Sequence, residues 1–427
     1  MGEAVSAPHT GGARLRDDPD FRRYWWSRLL SVIGTIVSYV ALPVLVYRMS
    51  GSAMLTALVA GMEAAPYLVF GLFAGALADR WNRKAVMVVA DVVDAAAIAS
   101  VPAAHWLGVL TVPHVLVVAF VVPAVAVFFD GANFGALPVL VGRERIARAN
   151  ASVFGAATSA EIVLPSVVGV GLAVMHPAAM LAVDALSYLA SAALVASISR
   201  PLHDASRPRV PLSARVLWDD IVEGLTFLVT HAGVRTMTIV GALQCLAGGG
   251  FVALMVVWCD RTLHIGTSGL RFGLVYGSWS VGGLVAALVL PRLLRTLTPA
   301  HVTLLALPVS ALLGIVTSLT STWVLAALGL FTWSCAYTMV VVNSISYRQQ
   351  VTPEPLLGRV NTAGRMLAWG LGWTLGAVAG GVLGNLLGIR PALVIMASMS
   401  VVAVAVAWTS PLRRAATEPA VPSAGRV

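Results

Sequence analysis

Apolar residues fall into twelve long runs separated by short polar stretches. The runs lie near 25–47, 55–78, 85–107, 112–130, 150–174, 178–199, 236–259, 270–291, 300–319, 322–345, 360–387 and 391–410. Each approaches the roughly 20 residues a helix needs to cross about 30 Å of hydrocarbon. Inside hydrocarbon a helix satisfies its own backbone groups, so the pattern predicts an all-α membrane protein of twelve transmembrane helices. The fourth and fifth spans are the least regular, because Gly and Pro interrupt them. Residues 1–20 and 412–427 read as polar, disordered cytoplasmic ends.

The longest hydrophilic interior segment, 200–235, separates a first group of six spans (21–199) from a second (236–411). Pro201, Pro208 and Pro211 break its start. Leu217, Ile221, Leu225 and Leu228 then repeat at helical spacing opposite Asp219, Asp220 and Glu223. That spacing predicts an amphipathic helix on the inner membrane face.

Composition narrows the picture. Hydrophobic residues make up 58% of the chain and charged residues 11%, against about 25% charged in a soluble domain. The net charge of +9 does not point to nucleic acid, because the cations sit in short loops between spans. With the N-terminus inside, all but four of the 28 cationic side chains face the cytoplasm; the exceptions are Arg48, Arg261, Arg271 and Arg390. Both termini are therefore expected in the cytoplasm, and the first span is expected to serve as an uncleaved insertion signal. The three cysteines, Cys245, Cys259 and Cys335, fit neither a metal pattern nor a disulfide framework.

One stretch is more specific. After the apolar run to Ala78, polarity flips into Asp79, Arg80, Asn82, Arg83 and Lys84. The order Gly75, Leu77, Asp79, Arg80, Arg83, Lys84 resembles the loop between helices 2 and 3 of the major facilitator superfamily of secondary transporters. Gly282, Gly283, Pro291, Arg292 and Arg295 form an eroded copy in the second half. Leu212–Ala242, with Glu223, Gly224, Phe227 and Arg235, resembles the start of helix 7 in a bacterial branch of siderophore exporters and macrolide- and drug-efflux carriers. Gln349, Pro353 and Leu357-Gly358-Arg359-Val360 are similar to that branch's loop between helices 10 and 11. The resemblance spans roughly residues 20–410. It implies two six-helix bundles with a substrate site between them near mid-membrane.

Span eleven carries Gly372, Gly376, Gly380, Gly384 and Gly388 at intervals of four. Each glycine lowers helix propensity by about 1 kcal/mol, so the stripe requires close helix approach. In the superfamily helix 11 meets helix 2, so Gly71 and Gly75 are expected to face the stripe. Asp79, with Arg80, Arg83 and Lys84 beside it, is expected near Gly358, Arg359 and Asn361. That contact reads either as a cytoplasmic gate or as a permanent staple between halves.

Ionisable groups inside spans are costly and mark functional positions. Glu63 and Glu161 are the leading candidates for proton coupling, followed by Asp91 and Asp94. Asp91 also reads as a partner for loop arginines, Asp130 as a partner for Arg143 or Arg145, and Asp184 as a cap or tether. Three departures weaken an ordinary proton-driven drug antiporter: Thr35 stands where related carriers often have an acid, Asn133 where they often have an arginine, and Leu164-Pro165 where antiporters have Gly-Pro. Tyr39, Tyr67, Gln244, Trp279, Trp333, Tyr337, Asn343, Trp369 and Trp373 are candidate substrate contacts, though most fit interface anchoring or bundle packing equally well. Gly248, Gly249 and Gly250 read as a hinge or a close-packing site.

The expected function is export of an amphipathic small molecule by alternating access, with proton antiport as the coupling. An importer on the same fold and a non-transporting membrane sensor or assembly partner are the rivals. No phosphate-binding G-x-x-x-x-G-K-[ST] loop and no nucleophile–base pair stand out, which disfavours a pump driven by ATP or an enzyme. No cofactor beyond the proton gradient is expected. The expected partners are a small-molecule substrate and the lipid bilayer of the cell membrane, not nucleic acid, with the chain a monomer.

Overall fold

The computed structural model describes residues 15–78, 81–202 and 214–413. The expectations placed on Asp79, Arg80 and on residues 1–14 and 414–427 lie outside those residues, whereas 15–20, expected to be disordered, are ordered: Leu15–Asp17 forms a short helical turn and Asp18 caps the helix that starts at Pro19. Among the described residues, twelve helices are long and apolar enough to cross a membrane. In chain order the elements are α1 (Pro19–Ser50), α2 (Ala53–Ala78), α3 (Arg83–Trp106), α4 (Val112–Val141), α5 (Ile146–Val174) and α6 (Pro177–Ala196). A shorter helix, α7 (Ala214–Thr230), follows, then α8 (Ala232–Ala253), α9 (Met255–Arg261), α10 (Leu270–Leu293), α11 (Pro299–Leu319) and α12 (Trp323–Val351). The next span is composite: α13 (Leu357–Arg365), a π-helical segment (Met366–Trp373) and α14 (Thr374–Leu387). The last is α15 (Ile389–Thr409).

Two of the departures from the apolar pattern bear on how the helices are held together. The fourth span runs to Val141 rather than stopping near residue 130, because the polar groups that end the apolar run find partners in neighbouring helices. Tyr67 donates to Asp130 at 3.3 Å and Tyr24 to Asn133 at 2.6 Å. The seventh span breaks at Leu254 into α8 and α9.

α1 packs on α5 and α6, α3 on α4 and α6, and α2 on α4; after the linker, α8 packs on α14 and α15, α10 on α12, and α11 on α12 and α15. α2 meets the π segment and α14, and α5 meets α10. Large apolar side chains point outward, with Val89, Val163, Leu186, Leu288 and Leu312 more than half exposed. A water-facing surface built this way would aggregate, whereas a lipid-facing one is at rest.

Polar residues fix the helix starts. Asn82 caps α3 by accepting from the backbone N–H groups of Lys84 and Ala85 at 3.1 and 3.3 Å. Arg200, just beyond α6, fastens two elements: it donates to Asp18 and to Asp20 (3.1 Å) at the start of α1, and to the Leu140 carbonyl of α4 (3.1 Å). The Asp18 carboxylate holds the Arg200 guanidinium above its ordinary value, against the opposing effect of burial.

α7 appears where the spacing predicts it, but part of its apolar side rests on protein. Leu228 is buried against Val234, Val360 and Ala363. A Cβ on Gly224 would lie 2.9 Å from the Arg359 Cβ, and Glu223 pairs with Arg359. Trp218 and Val222 remain exposed.

Candidate functional site

A cavity of about 260 Å³ lies where α1, α5, α8, α9 and α10 converge. Thr35 and Tyr39 of α1, Glu161 and Pro165 of α5, and Tyr276 and Trp279 of α10 line it. Tyr276 is packed 4.9 Å from Phe272, and Trp279 sits edge-on to Trp333 at 5.3 Å and 88°. Glu63 of α2 acts electrostatically on both Tyr39 and Tyr276. Aromatic faces and the Glu161 carboxyl therefore meet in one apolar chamber, and among the described residues no Lys or Arg lines it.

Of the aromatic and amide residues expected to touch substrate, Tyr39 and Trp279 line this cavity. The others sit elsewhere, for reasons visible in their contacts. Trp333 is fully buried and donates to the Ser310 hydroxyl at 3.2 Å. Gln244 donates to the same hydroxyl at 3.0 Å and accepts from Ser400 at 2.6 Å. Tyr337 packs beside Cys245 and over Gly248, and Asn343 donates to Thr303 at 2.7 Å. These four bind the helices after the linker to one another. Trp369 stacks on Trp373 at 4.5 Å. Tyr67 joins Asp130 and Arg365: the guanidinium lies 4.6 Å from the Tyr67 ring and 4.0 Å from Asp130. Asp130 thus meets Arg365 and not Arg145, whose side chain turns back onto the Val141 carbonyl at 2.9 Å.

One end of the cavity is closed by contacts between helices from either side of the linker. The Tyr47 hydroxyl donates to Asp260 Oδ2 at 2.7 Å and accepts from Arg261 Nε at 3.1 Å. Arg261 also donates to the Gly51 carbonyl at 2.6 Å, and Arg48 to Thr267 at 3.1 Å. Alongside, α5 and α10 approach backbone to backbone: the Gly269 N–H donates to the Gly169 carbonyl at 2.5 Å, and a Cβ on Gly273 would lie 2.5 Å from Ser166 Cα. Sequence reasoning missed the hydrogen-bonded ring of Tyr47, Asp260 and Arg261. Its trace was the placement of Arg48 and Arg261 against the general charge rule.

α2 and the composite span do meet, but not through the expected faces. Gly372, Gly376 and Gly380 seat α8: their added Cβ atoms would meet the carbonyls of Ala242, Leu246 and Gly250 respectively. The adjoining face meets α2, with Gly61 beside Thr374, Ala377 and Val378, Gly370 against Leu68, and Gly381 against Met54 and Ala57. Gly71 and Gly358 each have open space where a side chain would go. Glycines four apart advance about 40° per step, so the stripe winds around the helix and reaches a neighbour on its own side of the linker first. Gly75 lies on α2, and Gly248, Gly249 and Gly250 pack closely against Tyr337, Trp373 and Met396.

Arg83 is buried and donates to the Gly135 carbonyl at 2.9 Å, and Lys84 donates to the Ile198 carbonyl at 2.7 Å. Both hold the start of α3 to its neighbours. Asp91 is bound by the Ser191 hydroxyl at 2.6 Å rather than by a loop arginine, since α6 is its packing partner. Asp184 is fully buried and accepts from Ser38 and from Ser187 at 3.3 Å.

Residues 11–425 match the model of a family described as "Transmembrane secretion effector". The chain is 28% identical to the multidrug efflux pump Tap of Mycolicibacterium fortuitum, over 81% of this chain and 85% of that protein. It is 25% identical to the enterobactin exporter EntS of Citrobacter koseri, over 81% of each. It is 26% identical to macrolide efflux protein A of Streptococcus pyogenes, over 63% of this chain and 66% of that protein. Among solved structures, the nucleoside transporter NupG superposes with a TM-score of 0.71 at 12% identity, covering 91% of this chain and 98% of that one. A bacterial homologue of the iron transporter ferroportin, in an inward-facing state, gives 0.71 at 16%, covering 93% and 98%. At such identities the likeness concerns the fold.

Proposed function

The chain belongs to the transmembrane secretion effector family of the major facilitator superfamily, and on that premise we propose that it exports an amphipathic small molecule across the cell membrane by alternating access. In this reading the helices form two six-helix bundles with both termini in the cytoplasm, and the end closed by Tyr47, Asp260 and Arg261 is extracellular. The cavity then opens to the cytoplasm, and closure of the opposite end, with release of the Tyr47–Asp260 contact, delivers the cargo outward. The observation that carries the reading is the cavity itself: an apolar, aromatic chamber with Glu161 in its wall, placed between helices from the two halves, with Glu63 acting electrostatically on its Tyr39. Such a lining suits an apolar body with a positive or hydrogen-bonding group. The relatives named for efflux of drugs, macrolides and a siderophore support the outward direction.

Proton antiport supplies the driving force, with Glu161 and Glu63 exchanging a proton for substrate. The test is transport in inverted membrane vesicles. An imposed inward-acid gradient should drive accumulation of a lipophilic fluorescent cation, and Glu161→Gln should abolish it. Accumulation that runs only in the opposite sense would identify an importer.

A further inference from the structure

A second group of carboxyls lies away from the cavity, buried among α1, α3 and α6. Asp91, Asp94 and Asp184 are each at least 98% buried. Asp184 is held by Ser38 and Ser187, and Gly34 makes room for it: a Cβ there would collide with both the Asp184 carboxylate and the Ser187 hydroxyl. Asp91 is held by Ser191. Asp94 differs. Its Oδ1 is buried and accepts no hydrogen bond, while the two other aspartates act on it electrostatically.

Charges around the group do not balance. α1 contributes Arg28, which acts on Asp91; α6 contributes Asp184 and Tyr188; α4 directs its Asp130 toward Tyr67 and Arg365. Among the described residues, three carboxyls therefore have a single guanidinium near them, and it acts on Asp91. An ionised carboxylate in a dry interior with no donor is strongly unfavourable, and a bound proton removes the charge. The other small cation would be a metal ion, and among the described residues no group of acids is arranged to hold one.

The group also has a route to the cavity. Thr35 lines the chamber, gives its own proton to the Ser31 carbonyl at 2.8 Å, and so accepts from the Tyr188 hydroxyl at 3.1 Å. Tyr188, nearly fully buried, feels both Asp184 and Asp94. We infer that Asp91, Asp94 and Asp184 form a proton-binding site, with Asp94 the acceptor, which exchanges with the cavity through Tyr188 and Thr35. The step is a proton transfer: the Tyr188 hydroxyl, which here is bonded to Thr35 and not to Asp94, turns to pass its proton to Asp94 Oδ1 and is resupplied from cavity water through Thr35, and the reverse sequence returns the proton. The inference deepens the carrier reading, because it places a proton store one hydroxyl pair from the substrate chamber.

The test is infrared spectroscopy of the full chain in lipid nanodiscs, following the protonated-carboxyl stretch through a pH titration. Asp94→Asn should remove one titrating band while keeping the yield of folded protein, since the amide mimics the protonated acid. Tyr188→Phe should keep the band but slow its response to a pH jump severalfold. An unchanged band in Asp94→Asn overturns the site, and an unchanged rate in Tyr188→Phe overturns the route. Should Asp94→Asn fail to accumulate, Asp184→Asn decides: loss of a neighbouring charge should move the remaining titration to lower pH, and an unmoved titration overturns the site. These signals need no transport. A band that behaves as expected in a protein that exchanges no substrate would sink the carrier reading and leave the site, and the reverse result would do the opposite.

Discussion

The Tyr47 hydroxyl donates to Asp260 Oδ2 at 2.7 Å across 213 residues of sequence. It joins the last turn of α1 to the last turn of α9, with Arg261 bound to the same hydroxyl and to the Gly51 carbonyl. A hydrogen bond to a charged, partly exposed partner stabilises by about 1 kcal/mol. Tyr47→Phe should therefore shift the balance of conformations severalfold toward separation at this end. Spin labels at Ser52 and Ser268, on the two sides of the closure, should show a larger long-distance population. An unchanged distance distribution would mean that the backbone approach of α5 and α10 alone holds this end.

The glycines divide into those that fill a contact and those that do not. Gly376→Ala should lower the melting temperature, at a cost of roughly 2 kcal/mol, because its methyl runs into the Leu246 carbonyl, which cannot rotate away. Gly71→Ala should be neutral or stabilise by up to about 1 kcal/mol, since nothing lies within 4 Å. Thermal denaturation in detergent separates them, and equal shifts for the two would refute the contact assignment.

Glu161→Gln and Glu63→Gln should each retain folded protein and reduce export at least tenfold, equivalent to about 1.4 kcal/mol in the transport step. Glu161 lies in the wall of the chamber, and Glu63 acts electrostatically on Tyr39 in that wall. Flow-cytometric dye efflux with protein quantified in the same cells is the measurement. Loss of protein in step with activity would assign them to folding.

His105 and His176 stack at 4.0 Å with their rings 4° from parallel, where α3 ends and α6 begins. His176 also caps α6 by accepting from the Ala178 N–H at 3.2 Å. Burial first, then His105 and Arg48, hold its imidazole below the ordinary histidine value. The sign follows directly. Above about pH 6.5 the ring is neutral folded or unfolded, and nothing is lost. Below it the unfolded chain takes a proton that the folded site resists, so stability falls as pH drops. The melting temperature should decline between pH 7 and pH 5, and His105→Phe should flatten that decline. A pH-independent difference between the two proteins would count against the stack as the cause.

The twelve spans were legible because each must bury or expose some twenty apolar residues in sequence, and a local pattern suffices to see that. The pairing of Glu223 and Gly224 with Arg359 was half legible: all three stood out, but their contact depends on how α7 folds back. Which residues face the chamber was not. Trp279 and Trp333 are chemically alike, yet Trp333 is fully buried on Ser310, and only the turn of each helix decides that. Asp184 read as a tether until Gly34, Ser38 and Ser187 were seen to converge on it from two helices. The cations Arg48 and Arg261 looked like exceptions to a charge rule, and in the fold both contribute to closing one end.

The π-helical stretch from Met366 to Trp373 gives that span a wider coil than its neighbours in the same rod, shifting the angular phase of everything beyond it. Upstream, Arg365 is aimed at Tyr67; downstream, Gly376 and Gly380 are aimed at α8 and Gly381 at α2. Excising a single residue there would restore an ordinary pitch and turn one set of contacts by about 100° relative to the other. The two ends are thus clocked independently, and that surplus residue lets a single span present one face to α2 and another to α8.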